Sequence, residues 1–196
     1  MEDELCLKRV MLLKAKDRDT YEHSLRVGEL CKLMAGRLSM DDEQTKHLFH
    51  GGLLHDIGKM FIDPNILQKR SALTKEEWTI MQRHASFGAE MMSAYGDVDN
   101  EILDIIRYHH ERWNGRGYPY GLSGKHIPRF ARICGIIDSF DSMVSDRPYR
   151  KGLTFMEAKE ELVCHSGTQF DKQFVDLFIS LFPSIQVIYH NYKILI

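Results

Sequence analysis

The sequence lacks any run of apolar residues long enough to cross a membrane, which takes about 18 consecutive positions. It also lacks the basic start of a secretory signal, because three of its first four residues are acidic. From these two absences we expect a cytoplasmic protein without a membrane span.

Cysteine is scarce and scattered. Four cysteines occur among the 196 residues, and no two of them form a C-x-x-C pair: Cys6, Cys31, Cys134 and Cys164. A disulfide framework or a zinc site built on thiolates is typically recognised by closer, regular spacing. The pattern argues against both and again favours the reducing cytoplasm.

Charge of one sign is not in excess, since the formal net charge is −2 at pH 7. A nucleic-acid binder ordinarily carries a strong basic excess, so we expect no nucleic-acid partner. Residues 112–151 are the exception, with eight basic and three acidic side chains. A local basic region is typical either of a site for a small anionic ligand or of a solvated surface.

The sequence does contain apolar residues at helical spacing. Its length fits one domain, which we assign to residues 1–196. Two capping boxes mark helix starts, Thr74 with Glu77 and Thr154 with Glu157. We predict an all-α fold whose helices occupy about 20–38, 41–57, 74–91, 98–110, 128–144, 154–163 and 171–183.

Two stretches interrupt the helical pattern. Residues 112–127 are rich in glycine, proline and aromatic residues, and a long loop of this kind in a compact domain is usually functional. Residues 185–196 alternate weakly between apolar and polar positions, which predicts either a short strand or a docked arm.

The ten histidines are an excess for this length, and their placement predicts a metal site. Two doublets, His55 with Asp56 and His109 with His110, lie at the ends of predicted helices, and the other candidates lie on further helices. Since helices of a bundle can direct such groups at one internal point, we predict seven ligands: His23, His55, Asp56, His84, His109, His110 and Asp138. A single histidine on an apolar helix face is more often a core residue, so the prediction depends on the whole set.

The number of donors predicts the reaction class. With Asp56 and a water as bridges, seven imidazole and carboxylate ligands leave about two positions open on a pair of octahedral ions. Two ions about 3.5–4 Å apart form a clamp for the hydrolysis of a phosphoester. We therefore predict attack by a metal-activated hydroxide on a phosphate group.

Four segments of the sequence resemble the HD-GYP family of the HD phosphohydrolase superfamily. They are HDIGK at 55–59, HHERWNGRGYP at 109–119, DSFDSMVSDRPYR at 138–150 and GTQFD at 167–171. The resemblance covers about residues 17–182 and implies an HD-domain bundle of about seven helices with a long GYP loop. It further implies hydrolysis of the bacterial second messenger cyclic di-GMP to pGpG and/or GMP, with two or three divalent ions, Fe or Mn favoured.

The resemblance also implies roles for individual residues. The family's metal ligands match the seven positions named above, and Asp56, Lys59 and Asp141 match its catalytic group. Lys59 matches a lysine that contacts the substrate phosphate. Asp141 matches an aspartate at the phosphate site, where it contacts substrate or orients a water or a ligand. The substrate-side positions are Gly117, Tyr118, Arg147 and Arg150.

The sequence departs from the family pattern at two positions. Asn114 stands where the GYP motif often has Asp, and we expect it to alter the loop conformation rather than abolish activity. Family members with three ions carry an acid one turn before the first histidine, and Asp19 occupies that place before His23. A third ion would use Asp19, and the alternative is that Asp19 or Thr20 caps the helix.

Other functions remain open at this point. The HD superfamily also includes nucleotidases and dNTP hydrolases, so the substrate could be another nucleotide or cyclic dinucleotide. A non-catalytic, metal-bound interaction module is a third interpretation, because HD-GYP domains can contact GGDEF-type diguanylate cyclases through the GYP loop. The intact GYP segment and the complete ligand set favour the cyclic di-GMP phosphodiesterase.

Overall fold

A computed structural model describes residues 2–146 and 151–194 and confirms the all-α prediction. Within these residues there is no β-strand. The α-helices are α1 Glu2–Lys16, α2 Arg18–Arg37, α3 Asp42–Leu54, α4 Pro64–Leu67, α5 Lys75–Gln82, α6 His84–Ala94, α7 Asn100–Tyr108, α8 Arg129–Val144, α9 Phe155–Cys164, α10 Lys172–Ser180 and α11 Phe182–Ile194. Two 3-10 helices, Ile57–Phe61 and Gly124–His126, connect them.

Most helices begin where local side-chain chemistry predicts. Both capping boxes form, because the Thr74 and Thr154 side chains each accept from a backbone N–H three residues later. Asp41 and Asp171 cap α3 and α10. The cap of α2 is Asp17, which accepts from the Thr20 backbone, so neither Asp19 nor Thr20 is the cap.

Helix α1 is absent from the sequence-based assignment. Its buried apolar residues are Cys6, Val10 and Leu13, which recur at helical spacing and pack against α3 and α6 residues. Leu7 and Met11 are exposed on the same helix, so apolar residues surround it and blur the stripe. The spacing of the buried face, four residues and then three, was the signal that could have found it.

The C-terminal segment is a helix that docks on the bundle, so the alternative of a short strand was wrong. Helix α10 ends at Ser180, and α11 begins at Phe182 with Pro183 in its first turn. Proline is tolerated there because the first backbone N–H groups of a helix have no partner within the helix. Ile185 and Tyr189 are one turn apart and both buried, so α11 packs on the bundle by one face.

Two hydrophobic clusters lie on either side of the histidine-rich centre. One joins α2, α8, α10 and α11 around Phe140 and Phe178. The other joins α1, α3, α6 and α7 around Leu13 and Met92. The ends of α3 and α7 and the middles of α2 and α8 meet between these clusters, which fixes the side chains that they carry.

Candidate metal centre

All seven predicted ligands meet at one internal point. His23 lies within α2, Asp138 within α8, and His84 is the first residue of α6. Both doublets lie immediately after helix ends, His55–Asp56 after α3 and His109–His110 after α7. They form two groups whose candidate ligand atoms lie within 4.8 Å of one another: His23, His55 and Asp138 in the first group, and Asp56, His84, His109 and His110 in the second.

A glycine brings the two halves of the centre together. After Asp56 the chain turns into the 3-10 helix Ile57–Phe61, and Gly58 lies directly against the backbone of α6. A Cβ at Gly58 would lie 1.9 Å from the His84 carbonyl oxygen, so no other residue fits there without movement. This close approach places Asp56 Oδ1 3.3 Å from His84 Nε2.

Asp56 lies between the two groups. Its Oδ2 is 3.3 Å from His55 Nε2 in the first group, while its Oδ1 faces His84 in the second. Lys59 Nζ also lies 2.6 Å from Oδ2. The buried Asp56 carboxylate is therefore within reach of imidazoles from both groups and would be a ligand for a divalent cation, with an ammonium beside it.

The first group is compact. His23 Nε2 is 3.1 Å from Asp138 Oδ1 and 3.1 Å from His55 Nε2. The other ring nitrogen of His55 fixes the orientation of the ring, because Nδ1 donates to the Gly52 carbonyl at 2.7 Å. A carbonyl partner on the far ring nitrogen is the usual way in which a protein orients a metal-binding histidine.

In the second group, two histidine lone pairs face each other. His84 Nδ1 lies 2.7 Å from the Met81 carbonyl oxygen, and His109 Nδ1 lies 3.0 Å from the Ile106 carbonyl oxygen. Because a carbonyl only accepts, both Nδ1 atoms carry the hydrogen and both neutral rings present a lone pair at Nε2. The two Nε2 atoms are 3.4 Å apart. These two lone pairs would hold a cation.

Burial keeps the histidines of the second group neutral. It lowers the pKa of His84 to about 4 and, with the help of His55, the pKa of His109 to about 3. It also holds the pKa of His110 well below its ordinary value. Neutral imidazole is the form that binds a metal, so this group is in its ligating state near neutral pH.

The carboxylates are ionised for a different reason. Burial opposes their charge, but Lys59 and His55 outweigh it at Asp56, and the pKa of that carboxyl lies well below its ordinary range. His23 outweighs burial at Asp138 in the same way. Burial opposes the charge of His23, but Asp138 and Asp141 outweigh it and raise the pKa of His23 to about 9, so a cation bound there would displace a proton. A donor set of imidazoles and ionised carboxylates fits divalent cations.

The structure places Asp141 behind His23. Asp141 is fully buried, and its Oδ2 lies 2.7 Å from His23 Nδ1. Arg26 binds it through two nitrogens, at 2.8 and 2.9 Å, and the Ser145 and Tyr189 hydroxyls also donate to it. With its oxygens so occupied, Asp141 is placed to orient a ligand and not to contact substrate directly.

The GYP loop covers the second group. The Tyr118 ring stacks on His110, with centroids 4.6 Å apart and planes 30° apart. Trp78 of α5 meets Tyr118 edge-on at 6.2 Å. Tyr118 is therefore beside the centre, as expected for a substrate-side residue, whereas Arg147 and Arg150 lie outside the described residues.

Gly117 has a packing role that the sequence did not predict. A Cβ at this position would lie 2.4 Å from the Arg112 backbone nitrogen and 2.5 Å from the His110 carbonyl oxygen. The GYP loop therefore lies directly on the backbone that carries the His109–His110 doublet. Only glycine allows that approach.

We expect Gly117→Ala to lower the free energy of unfolding by about 1–3 kcal/mol, because the methyl group must displace backbone. It should also reduce bound metal, since His110 moves with that backbone. Chemical denaturation and metal analysis measure the two effects. Gly36→Ala is the control, because a Cβ there meets nothing within 4 Å; equal behaviour of both variants would contradict the packing role.

Two further sequence-based candidates lie away from the centre. Asp19 is exposed in the first turn of α2 and belongs to neither group, so its placement gives no support to a third ion. Asn114 lies in the loop, where its side chain accepts from the Arg116 backbone at 3.0 Å. This contact agrees with an influence of Asn114 on loop conformation.

Sequence reasoning missed several partners. Arg26 and Tyr189 were not singled out, although both bind Asp141. His47 Nε2 lies 3.0 Å from an Asp99 carboxylate oxygen at the start of α7, a pairing that the sequence analysis did not predict. Each of these contacts joins residues more than 45 positions apart, and only the fold brings them together.

The family model described as "HD domain" matches residues 2–174, and the chain belongs to this family. A cyclic di-GMP phosphodiesterase of Thermotoga maritima is 36% identical over 184 residues, which cover 93% of this chain and 50% of that protein. A 3'3'-cGAMP-specific phosphodiesterase of Vibrio cholerae is 32% identical, over 90% of this chain and 34% of that protein. The resemblance to the HD-GYP family is thereby confirmed.

A solved structure supports the same fold. An HDG"Y"P protein from Bdellovibrio bacteriovorus aligns with a TM-score of 0.68 and 25% identity, over 82% of this chain and 51% of that chain. The present chain spans about half the length, or less, of the curated relatives that it matches. Among its described residues, none of the helices combines the length and apolar character needed to cross a membrane.

Proposed function

We propose that this chain is a metal-dependent phosphodiesterase that hydrolyses cyclic di-GMP to pGpG and/or GMP. The observation that carries the proposal is the position of Asp56 between two groups of ligands, each made of imidazoles and a carboxylate. The names of the related phosphodiesterases, which act on cyclic dinucleotides, support the choice of substrate.

The proposed centre holds two divalent ions, one in each group. When bound, such ions neutralise charge on the phosphate oxygens and lower the pKa of water. Imidazole and carboxylate ligands suit Fe, Mn, Ni and Zn alike, and among these we favour Fe or Mn. A third ion lacks a comparable third group among the described residues, because Asp19 is exposed and apart.

The protein's own residues perform the remaining tasks. Lys59 Nζ lies 2.6 Å from Asp56, so a phosphate that reaches Asp56 also reaches an ammonium that can hold one of its oxygens. Tyr118 shields the His110 side of the centre. Asp141 keeps His23 in one orientation, which preserves the geometry of the first group.

Substrate class is tested with a panel of cyclic di-GMP, 3'3'-cGAMP, cyclic di-AMP and dNTPs. We expect the largest kcat/KM for cyclic di-GMP, with pGpG or GMP as the product identified by chromatography. Preferential turnover of 3'3'-cGAMP would move the substrate to another cyclic dinucleotide, and turnover of dNTPs alone would exclude the cyclic-dinucleotide class.

Arg147 is proposed to bind a substrate phosphate, on the resemblance alone. A hydrogen bond to a charged group contributes about 1.5–3 kcal/mol, so Arg147→Ala should raise KM by about tenfold or more with metal content unchanged. Arg129→Ala, in the same basic segment and exposed, should leave KM unchanged. Equal KM values for both variants and the wild type would remove Arg147 from the substrate site.

Two further expectations belong to this proposal. Contact with GGDEF-type diguanylate cyclases through the GYP loop is supported by Tyr120, which is 63% exposed near the tip of that loop. A cytoplasmic location is supported by the four cysteines, which form no disulfide in the described residues that contain them all. Loss of a measured cyclase interaction on Tyr120→Ala would support the contact with diguanylate cyclases.

A further inference from the structure

One partner of Asp141 comes from outside the matched domain. His23 and Arg26 belong to α2 and Ser145 follows α8, so three of the donors are part of the helices that build the centre. The fourth donor is the Tyr189 hydroxyl on α11. The family match ends at residue 174, and so α11 lies beyond it.

The Tyr189 ring is held in place by aromatic packing. Its edge contacts are with Phe155, at 5.2 Å between centroids, and with Phe140, at 6.0 Å. Ile185, one turn earlier, is fully buried in the same cluster. Packing of α11 therefore sets the position of the ring, and the hydroxyl reaches Asp141 as a consequence.

The hydroxyl donates and does not titrate near neutral pH. Burial and the neighbouring Asp141 carboxylate hold the pKa of Tyr189 well above its ordinary value. The tyrosine is 8% exposed, so water does not compete freely for the bond. Asp141 thus receives a permanent hydrogen bond from α11 on the side away from the centre.

We propose that Tyr189 is a positioning residue for the metal centre: its hydroxyl fixes Asp141, and Asp141 fixes His23. His23 in turn directs Nε2 towards Asp138 and His55. The inference rests on the proposed metal-binding function. It adds that docking of the C-terminal helix and binding of one ion are coupled.

The proposal differs from a general packing role because the two groups are not equally connected to Tyr189. Asp141 contacts His23, which belongs to the first group. For the second group, no contact between Asp141 and Asp56, His84, His109 or His110 is found among the described residues. A positioning role therefore weakens one ion selectively, whereas general loosening of the fold weakens both.

The test is a titration of the metal-free, anaerobically prepared protein with Mn²⁺. The EPR signal of the free ion reports how much Mn²⁺ remains unbound at each addition. We expect two binding steps in the wild type. In Tyr189→Phe one step should weaken by about tenfold, the lower end of the effect of removing an outer partner of a ligand, and the other should change by less than about twofold. Tyr95→Phe, a half-exposed tyrosine whose ring packs against Arg9, and Val187→Ala, exposed on α11, are the controls and should match the wild type.

Because thermodynamic coupling is reciprocal, binding of Mn²⁺ should also stabilise the docked helix α11. A second measurement can therefore be made on the wild-type protein. Adding Mn²⁺ to the wild-type protein should slow amide hydrogen exchange in α11, by severalfold, relative to the metal-free protein. Tyr189→Phe should lose that protection. This measurement keeps the inference testable even where the variant folds poorly.

The outcomes are distinguishable. Two unchanged binding steps in Tyr189→Phe, equal weakening of both steps, or no effect of Mn²⁺ on exchange in α11 would each overturn the positioning role while leaving the metal centre in place. A wild-type protein that binds no ion would overturn the proposed function together with this inference.

Discussion

Replacing Asp56 by asparagine is expected to lower kcat by at least about 1,000-fold and to remove at least one bound ion per chain. Asp56 is the carboxylate that faces both ligand groups, and the amide nitrogen of asparagine cannot ligate a cation. The Lewis-acid contribution of a metal is worth several kcal/mol, and each 1.36 kcal/mol corresponds to a factor of ten in rate. Steady-state turnover of cyclic di-GMP and metal analysis of the same sample measure the two losses.

Asp42→Asn is the matched control for this prediction. Asp42 is exposed in the first turn of α3, outside both groups, and the substitution makes the same change of charge. It should keep wild-type activity and metal content. Full activity of Asp56→Asn in a metal-depleted state would contradict the mechanism.

Replacing Asp141 by asparagine is expected to lower the free energy of unfolding by about 3–5 kcal/mol. The change leaves the partly buried Arg26 guanidinium, which is 13% exposed, without its fully buried ionic partner, and breaking a buried ion pair costs about that much. It also deprives His23 Nδ1 of its carboxylate. Urea denaturation of the metal-free protein isolates the first effect from any loss of bound ions.

A second ion pair provides the comparison. Lys172 and Asp176 form a pair on the surface of α10, with side chains 71% and 62% exposed. Asp176→Asn removes the same charge where water screens it, so the loss of stability should be far smaller. Similar losses for Asp141→Asn and Asp176→Asn would show that the Arg26–Asp141 pair does not stabilise the fold.

Local chemistry made much of the fold predictable. The starts of α5 and α9 follow from capping boxes that span only four residues, and the sequence contains both partners of each. Helix α1 was not predicted, because its exposed apolar residues obscure the buried face of Cys6, Val10 and Leu13. Helix α11 packs Tyr189 against Phe140 and Phe155, and sequence spacing does not reveal these contacts.

The candidate site, like the fold, was only partly predictable from the sequence. The seven ligands were predictable because doublets and motifs mark them, and the structure brings all seven together. Arg26 and Tyr189 were not, because their partner Asp141 lies 115 and 48 residues away in the sequence. The sequence identified Asp141 itself, but its burial behind His23 follows only from the fold.

The central claim is that this chain binds two ions and uses them to hydrolyse cyclic di-GMP. The most direct measurement is anaerobic purification, quantification of metal per chain, and incubation of that same sample with cyclic di-GMP. We predict about two ions per chain, as the two ligand groups require, and conversion to pGpG or GMP. Full occupancy of both sites by Fe or Mn without any conversion would contradict the account.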